Sequence, residues 1–218
     1  MRIEYGLVIF DCDGVLVDSE RLAIRIQSEG LTALGWPLSE EDVVERFVGR
    51  SPTHCHSEIV ARLGSAVAES WLIAFRRTYR VALEAELETV EGVVEALDQI
   101  DVLTCVASSS DHEHLRLVLG RTGLYERFEG RIFSATEVAN GKPAPDLFLH
   151  AAASLDVRPS ACAVVEDSLP GILAAQAAGM DAYAYLGGVT PPDRLLRPAV
   201  IPVANMRDLP DRLHGRRG

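Results

Sequence analysis

The chain has 218 residues, 48% of them apolar, and a net charge of −11 from 21 basic and 32 acidic side chains. That much apolar chain can fill one large domain, or a core with a smaller inserted domain. The acid excess and the lack of a basic stripe argue against nucleic acid. No apolar run approaches membrane-spanning length, and Met1-Arg2-Ile3-Glu4-Tyr5 does not read as a signal peptide. The four cysteines, none in C-x-x-C spacing, read as reduced thiols of a cytoplasmic protein, a monomer or a small homo-oligomer.

The first element is predicted at Leu7-Val8-Ile9-Phe10, an apolar run typical of a strand buried on both faces. It breaks into Asp11-Cys12-Asp13-Gly14, where two carboxylates stand one residue apart. Carboxylates so close repel unless a cation lies between them or one holds a proton, and oxygen ligands favour magnesium. The competing reading is an Asx-rich turn after a strand. From Asp18 the pattern turns helical. Leu22, Ile26, Leu31 and Leu34 form a stripe that ends at Gly35-Trp36-Pro37. Ser39 starts a short helix, Pro52 another, and a longer one runs from about Ser65 to Glu86, with both tryptophans, Trp36 and Trp71, expected in a core. Residues 18–88 therefore read as all helical.

From Thr89 helices and strands alternate. Helices are predicted at 90–100, 111–121, 146–155, 169–178 and 206–213, and strands at 102–107, 131–134, 161–165 and 182–186. A last strand at 200–203 is placed at an edge because of Pro202. Alternation of this kind predicts a Rossmann-like α/β fold: a parallel sheet core, residues 1–17 and 89–218, with an all-helical domain, 18–88, inserted after the first strand.

In a parallel sheet the carboxyl ends of the strands share one side, where open α/β sheets bind ligands. Asp11 and Asp13 follow the first strand, Ser108-Ser109-Ser110 the second, and Glu166-Asp167-Ser168 the strand at 161–165. The loop Asn140-Gly141-Lys142-Pro143 carries the only lysine in the chain. Where every other Lys/Arg position is arginine, the survivor suggests a place for a compact ammonium rather than a planar fork. Singly, the serine run and Glu166-Asp167-Ser168 read equally well as helix caps, and Lys142 as one leftover surface lysine. Together they make an inventory for phosphoryl transfer. His54-Cys55-His56 and His112-Glu113-His114 lack further ligands at useful spacing for zinc, and His112 and His114 are expected to be exposed on a helix.

These motifs resemble the haloacid dehalogenase superfamily, nearest its helical-cap phosphatases and β-phosphoglucomutase-like members. The match runs through Asp11-Cys12-Asp13-Gly14-Val15-Leu16-Val17-Asp18-Ser19-Glu20, Ser108, Gly141-Lys142-Pro143 and Val165-Glu166-Asp167-Ser168 with Gly171. The resemblance implies a magnesium-dependent hydrolase of a small phosphorylated metabolite. In it Asp11 is the nucleophile that becomes an aspartyl-phosphate, and Asp13 the general acid and base. Asp11, the Asp13 carbonyl, Asp167 and, through water, Glu166 surround Mg2+. Ser108, Ser109 and Lys142 hold the phosphate, helped by backbone N–H groups around Cys12, Asp13 and Gly14. The loop Gly14–Val17 is expected to flap and the inserted helices to cover the site. There Glu20, Arg50, His54 and His56 are the polar candidates for reading the leaving group, with Arg50 the foremost.

Within the family, the second aspartate argues for phosphoryl chemistry over carbon–halogen cleavage. The lack of a lysine in the helical insertion argues against Schiff-base phosphonate chemistry. In mutase-like members the insertion carries a histidine and an arginine at positions that align with Ala23 and Pro52 here, although a small shift would bring Arg50 into place. Hydrolase is therefore preferred to sugar phosphate mutase. A phosphoaspartate signalling domain is the remaining alternative, disfavoured because Asp13 would hasten loss of its phosphoryl group.

Overall fold

A computed structural model describes residues 5–215; most of the amino-terminal pentapeptide weighed above as a signal peptide lies outside them. One six-stranded sheet is built from β1 (Leu7–Phe10), β2 (Leu103–Ser108), β3 (Ile132–Ser134), β4 (Cys162–Glu166), β5 (Asp181–Tyr185) and β6 (Val200–Val203). The order is β3-β2-β1-β4-β5-β6 and every pairing is parallel. The fold is the Rossmann-like parallel sheet expected from the alternation. β6 lies at the edge, where Pro202 costs no ladder bond. The strand order reverses between β1 and β4, the switch point where a crevice opens at the carboxyl ends of doubly wound sheets.

Side chains alternate across a strand. Leu7 and Ile9 join Cys105, Ala107, Val164, Leu147, Phe148 and Ile172 in one buried cluster. Phe10, of opposite parity, meets Phe128 with ring centroids 6.4 Å apart. Both faces of β1 are thus covered, which is why Leu7–Phe10 is uninterrupted apolar sequence.

Packing divides the chain into two compact units: the chain up to Asp18 with the chain from Glu88 onward, and Ser19–Leu87. The second is all helical: α1 (Ser19–Ala33), α2 (Glu40–Phe47), α3 (Pro52–Leu63) and α4 (Ser65–Glu86). Ser39 caps α2 in a capping box with Asp42. Trp36 and Trp71 are buried, and Trp71, Phe75 and Tyr79 stack along α4 at 5.3 and 5.6 Å between centroids. Leu34, expected in the stripe of α1, is 42% exposed: the helix ends at Ala33, so the periodicity that would have turned Leu34 inward stops one residue short.

The remaining helices belong to the sheet unit: α5 (Val93–Gln99), α6 (His112–Arg121), α7 (Tyr125–Phe128), α8 (Asp146–Ser154), α9 (Leu169–Ala177), α10 (Pro192–Leu195) and α11 (Leu209–Gly215). The helix predicted at 206–213 begins as a 3-10 turn at Met206–Asp208 before α11. No helix among the described residues is long and apolar enough to cross a membrane.

Candidate active site

Asp11 continues the β1 ladder, its N–H donating to the Val165 carbonyl at 3.0 Å, so its side chain is set at the strand's carboxyl end, beside the end of β4. Lys142 reaches it from the loop before α8. Its ammonium donates to Asp11 Oδ1 at 2.7 Å, Glu166 Oε1 at 2.7 Å and the Ala107 carbonyl at 3.1 Å. Three protons meet three acceptors. The Phe148 ring lies 5.0 Å from Nζ and adds a cation–π contact. A planar guanidinium could not satisfy three acceptors grouped around one point, which gives the lone lysine its physical reason.

Glu166 is fully buried and each of its oxygens is engaged. Oε1 takes Lys142; Oε2 accepts from the N–H groups of Asp167 (3.0 Å) and Ser168 (2.9 Å) and from Ser168 Oγ (2.8 Å). Ser168 caps α9 by accepting from the Gly171 N–H at 3.2 Å. A Cβ on Gly171 would run into the Glu166 carboxyl, so only glycine lets the carboxylate sit against the first turn of the helix. At Gly14 two constraints coincide: φ is +79°, and a Cβ would overlap the Asp167 carboxylate.

Burial pushes the Asp11 carboxyl up to about 7 against the pull of Lys142, with the charges of Glu166 and Asp13 adding to the rise. Burial alone would lower the Lys142 ammonium, but the Asp11 and Glu166 carboxylates more than reverse it and hold it above its ordinary range. Asp11, Glu166 and Asp167 each offer a carboxylate oxygen, and these lie within 4.8 Å of one another in buried surroundings. A buried, all-oxygen donor set suits a hard divalent cation.

Asp13 sits apart from this knot, in a second grouping. Its Oδ2 accepts from Ser110 Oγ and its Oδ1 pairs with His114 Nε2, both at 2.9 Å. His114 was expected to be an exposed helix residue; its side chain is only 23% exposed, as is that of Asp13. Burial would lower the imidazole's pKa, but the hydrogen bond and charge of Asp13, with the charge of Asp111, hold it above its ordinary value. Asp111 caps α6, which puts residue 114 on the first turn, next to the end of β2; the cap was readable in the sequence, the contact with Asp13 was not. His112 is exposed as expected and pairs with Glu137 at 2.8 Å.

Ser108 is buried and its Oγ accepts from the Ser110 N–H at 3.1 Å, while Ser109 is exposed. Cys12 is fully buried, its carbonyl accepting from the N–H groups of Val15, Leu16 and Val17. Leu16 in turn accepts from the Val90 N–H at 3.0 Å, so the Gly14–Val17 loop is tied into its own unit. Glu20, on the first turn of α1, and Arg50, exposed between α2 and α3, belong to the helical unit.

A sequence profile of the haloacid dehalogenase-like hydrolases matches residues 5–179. The chain belongs to this family. It is 28% identical to the 6-phosphogluconate phosphatase of Escherichia coli K12 over 96% of this chain and 94% of that one. It is 32% identical to the β-phosphoglucomutase of Bacillus subtilis 168 over 79% of this chain and 80% of that one. A haloacid dehalogenase-like protein of unknown function from Agrobacterium tumefaciens C58 superposes with a TM-score of 0.89 at 36% identity, covering 97% of this chain and 98% of that chain. The protein is thus an enzyme of a hydrolase family with named phosphatases among its relatives.

Proposed function

We propose that the protein is a magnesium-dependent phosphomonoester hydrolase acting on a small phosphorylated metabolite: a sugar, sugar-acid, polyol or amino-sugar phosphate. The observation that carries this reading is the Lys142 ammonium held at 2.7 Å from both Asp11 and Glu166 beside the Asp11–Glu166–Asp167 oxygen cluster. A carboxylate flanked by a fixed cation and a cation site can approach an anionic phosphoryl group without prohibitive repulsion. Asp11, Asp167 and the carbonyl of Asp13 would hold Mg2+, with Glu166, its own oxygens engaged by Lys142 and the start of α9, acting through a water. When bound, the ion supplies positive charge that screens the phosphate.

In the first half of the reaction an Asp11 oxygen attacks phosphorus, the ester P–O bond breaks, and Asp13 protonates the leaving alkoxide. In the second half Asp13 takes a proton from water as the water attacks the aspartyl-phosphate, which restores Asp11 and releases inorganic phosphate. Ser108, Ser109, Lys142 and the Cys12 N–H are the proposed phosphate contacts, Lys142 neutralising charge on the transferring group; the Gly14 N–H, expected among them, donates instead to the Val17 carbonyl at 2.8 Å. Glu20 and Arg50 are the proposed readers of the leaving group.

Sugar phosphate mutase is the second reading, favoured by the B. subtilis relative and weakened by Ala23 and Pro52 at the aligned cap positions. The deciding experiment assays purified protein with magnesium against a panel of phosphorylated metabolites, with and without a sugar bisphosphate. Repeated release of inorganic phosphate supports the hydrolase; conversion of one sugar phosphate into another without release supports the mutase.

A further inference from the structure

We propose that His114 is a positioning residue for Asp13, which with Ser110 grips both oxygens of the carboxyl and fixes its orientation for proton transfer. The inference deepens the reading of Asp13 as acid and base and rests on it. An aspartate in a loop turns freely about two side-chain bonds, whereas a general acid must lie within hydrogen-bond reach of the atom it protonates. Misplacement by about 1 Å can cost about 10²-fold in rate. Here each oxygen has its own partner at 2.9 Å, so neither bond is free to turn.

The partners are themselves held. The His114 N–H donates to Asp111 Oδ1 at 2.8 Å, the Ser110 N–H to Ser108 Oγ at 3.1 Å, and Ser134 Oγ donates to the Ser110 carbonyl at 2.7 Å. The clamp is therefore anchored to β2, β3 and the first turn of α6. Its chemistry also suits a group that gains and loses a proton. A serine hydroxyl can donate or accept, so Ser110 can stay bonded to Asp13 whether the carboxyl is ionised or protonated, while His114 holds the other oxygen of the carboxylate.

The test compares kcat/KM for two esters in the magnesium-loaded enzyme: an alkyl phosphate, whose leaving alkoxide needs a proton, and 4-nitrophenyl phosphate, whose leaving group does not. His114→Ala is expected to lower kcat/KM about 10- to 100-fold for the alkyl ester and less than about 3-fold for the aryl ester, with His114→Gln, which keeps a donor and an acceptor, recovering part of the loss. Crystals of His114→Ala should show the Asp13 carboxyl in more than one orientation. Equal losses for both esters, no loss for either, or an unchanged single orientation of Asp13 would overturn the inference. Should the wild-type enzyme turn over neither ester, or Asp13→Asn leave their ratio unchanged, the reading of Asp13 as acid falls and the inference with it. The crystal result then tells the two failures apart, since the clamp on Asp13 is seen there without any turnover.

Discussion

The side chains of Lys142, Asp11 and Glu166 are 4%, 12% and 0% exposed, whereas those of Asp13 and His114 are each 23% exposed. The first group is a charge knot sealed in the interior. Taking charges out of water costs several kcal/mol per ion and is tolerated only when every hydrogen-bonding site is filled. That is what the three acceptors on Lys142 and the three donors on Glu166 Oε2 achieve. The second group keeps contact with solvent, and one of its partners, the Ser110 hydroxyl, can reverse its hydrogen bond. The contrast divides the proposed labour: the knot presents fixed charge to the phosphoryl group, and the open end moves protons.

Five substitutions at four positions break or sharpen this contrast. Asp11→Asn should lower turnover of 4-nitrophenyl phosphate by at least about 10⁴-fold, because an amide is a poor nucleophile; substantial residual turnover would remove Asp11 from that role. Lys142→Arg keeps the charge but misfits the three acceptors, and should lower kcat about 10²- to 10³-fold. Lys142→Met, which leaves two carboxylates buried without their cation, should also lower unfolding stability by about 3–5 kcal/mol in denaturant titrations. Near-normal kinetics of the arginine variant would make the lone lysine a coincidence. Gly171→Ala pushes a methyl at the Glu166 carboxyl and should cost about 1–3 kcal/mol in stability; an unchanged denaturation midpoint would show that Glu166 can shift freely. Smallest is Arg50→Ala, expected to raise KM for the true substrate several-fold and to leave KM for 4-nitrophenyl phosphate nearly unchanged; equal effects on both would unseat Arg50 as a reader of the leaving group.

The sealed half was largely legible in the sequence, and the open half was not. A parallel strand covered on both faces has to be apolar throughout, so Leu7–Phe10 and Cys162–Val165 announce themselves, and the acids that follow them must fall at strand ends. Lys142 stood out because no other lysine exists to blur it. His114 did not, because its role comes from the Asp111 cap turning one side chain of α6 toward an aspartate 101 residues away, a contact no local pattern encodes. The short helices α7 and α10 escaped for a different reason: four residues each is too short for a 3.6-residue period to register. Leu34, exposed just past the end of α1, shows the converse, a stripe that outruns its helix.

The central claim, that Asp11 carries the phosphoryl group between the two half-reactions, is tested most directly by acid-quenching the magnesium-loaded enzyme during turnover of 4-nitrophenyl phosphate and mapping its peptides by mass spectrometry. The account predicts an acid-stable, hydroxylamine-labile phosphoryl adduct on the peptide containing Asp11, more abundant in Asp13→Asn if hydrolysis of the adduct slows more than its formation. A phosphoryl group found on another residue, or steady turnover of an Asp11→Asn enzyme, would contradict it.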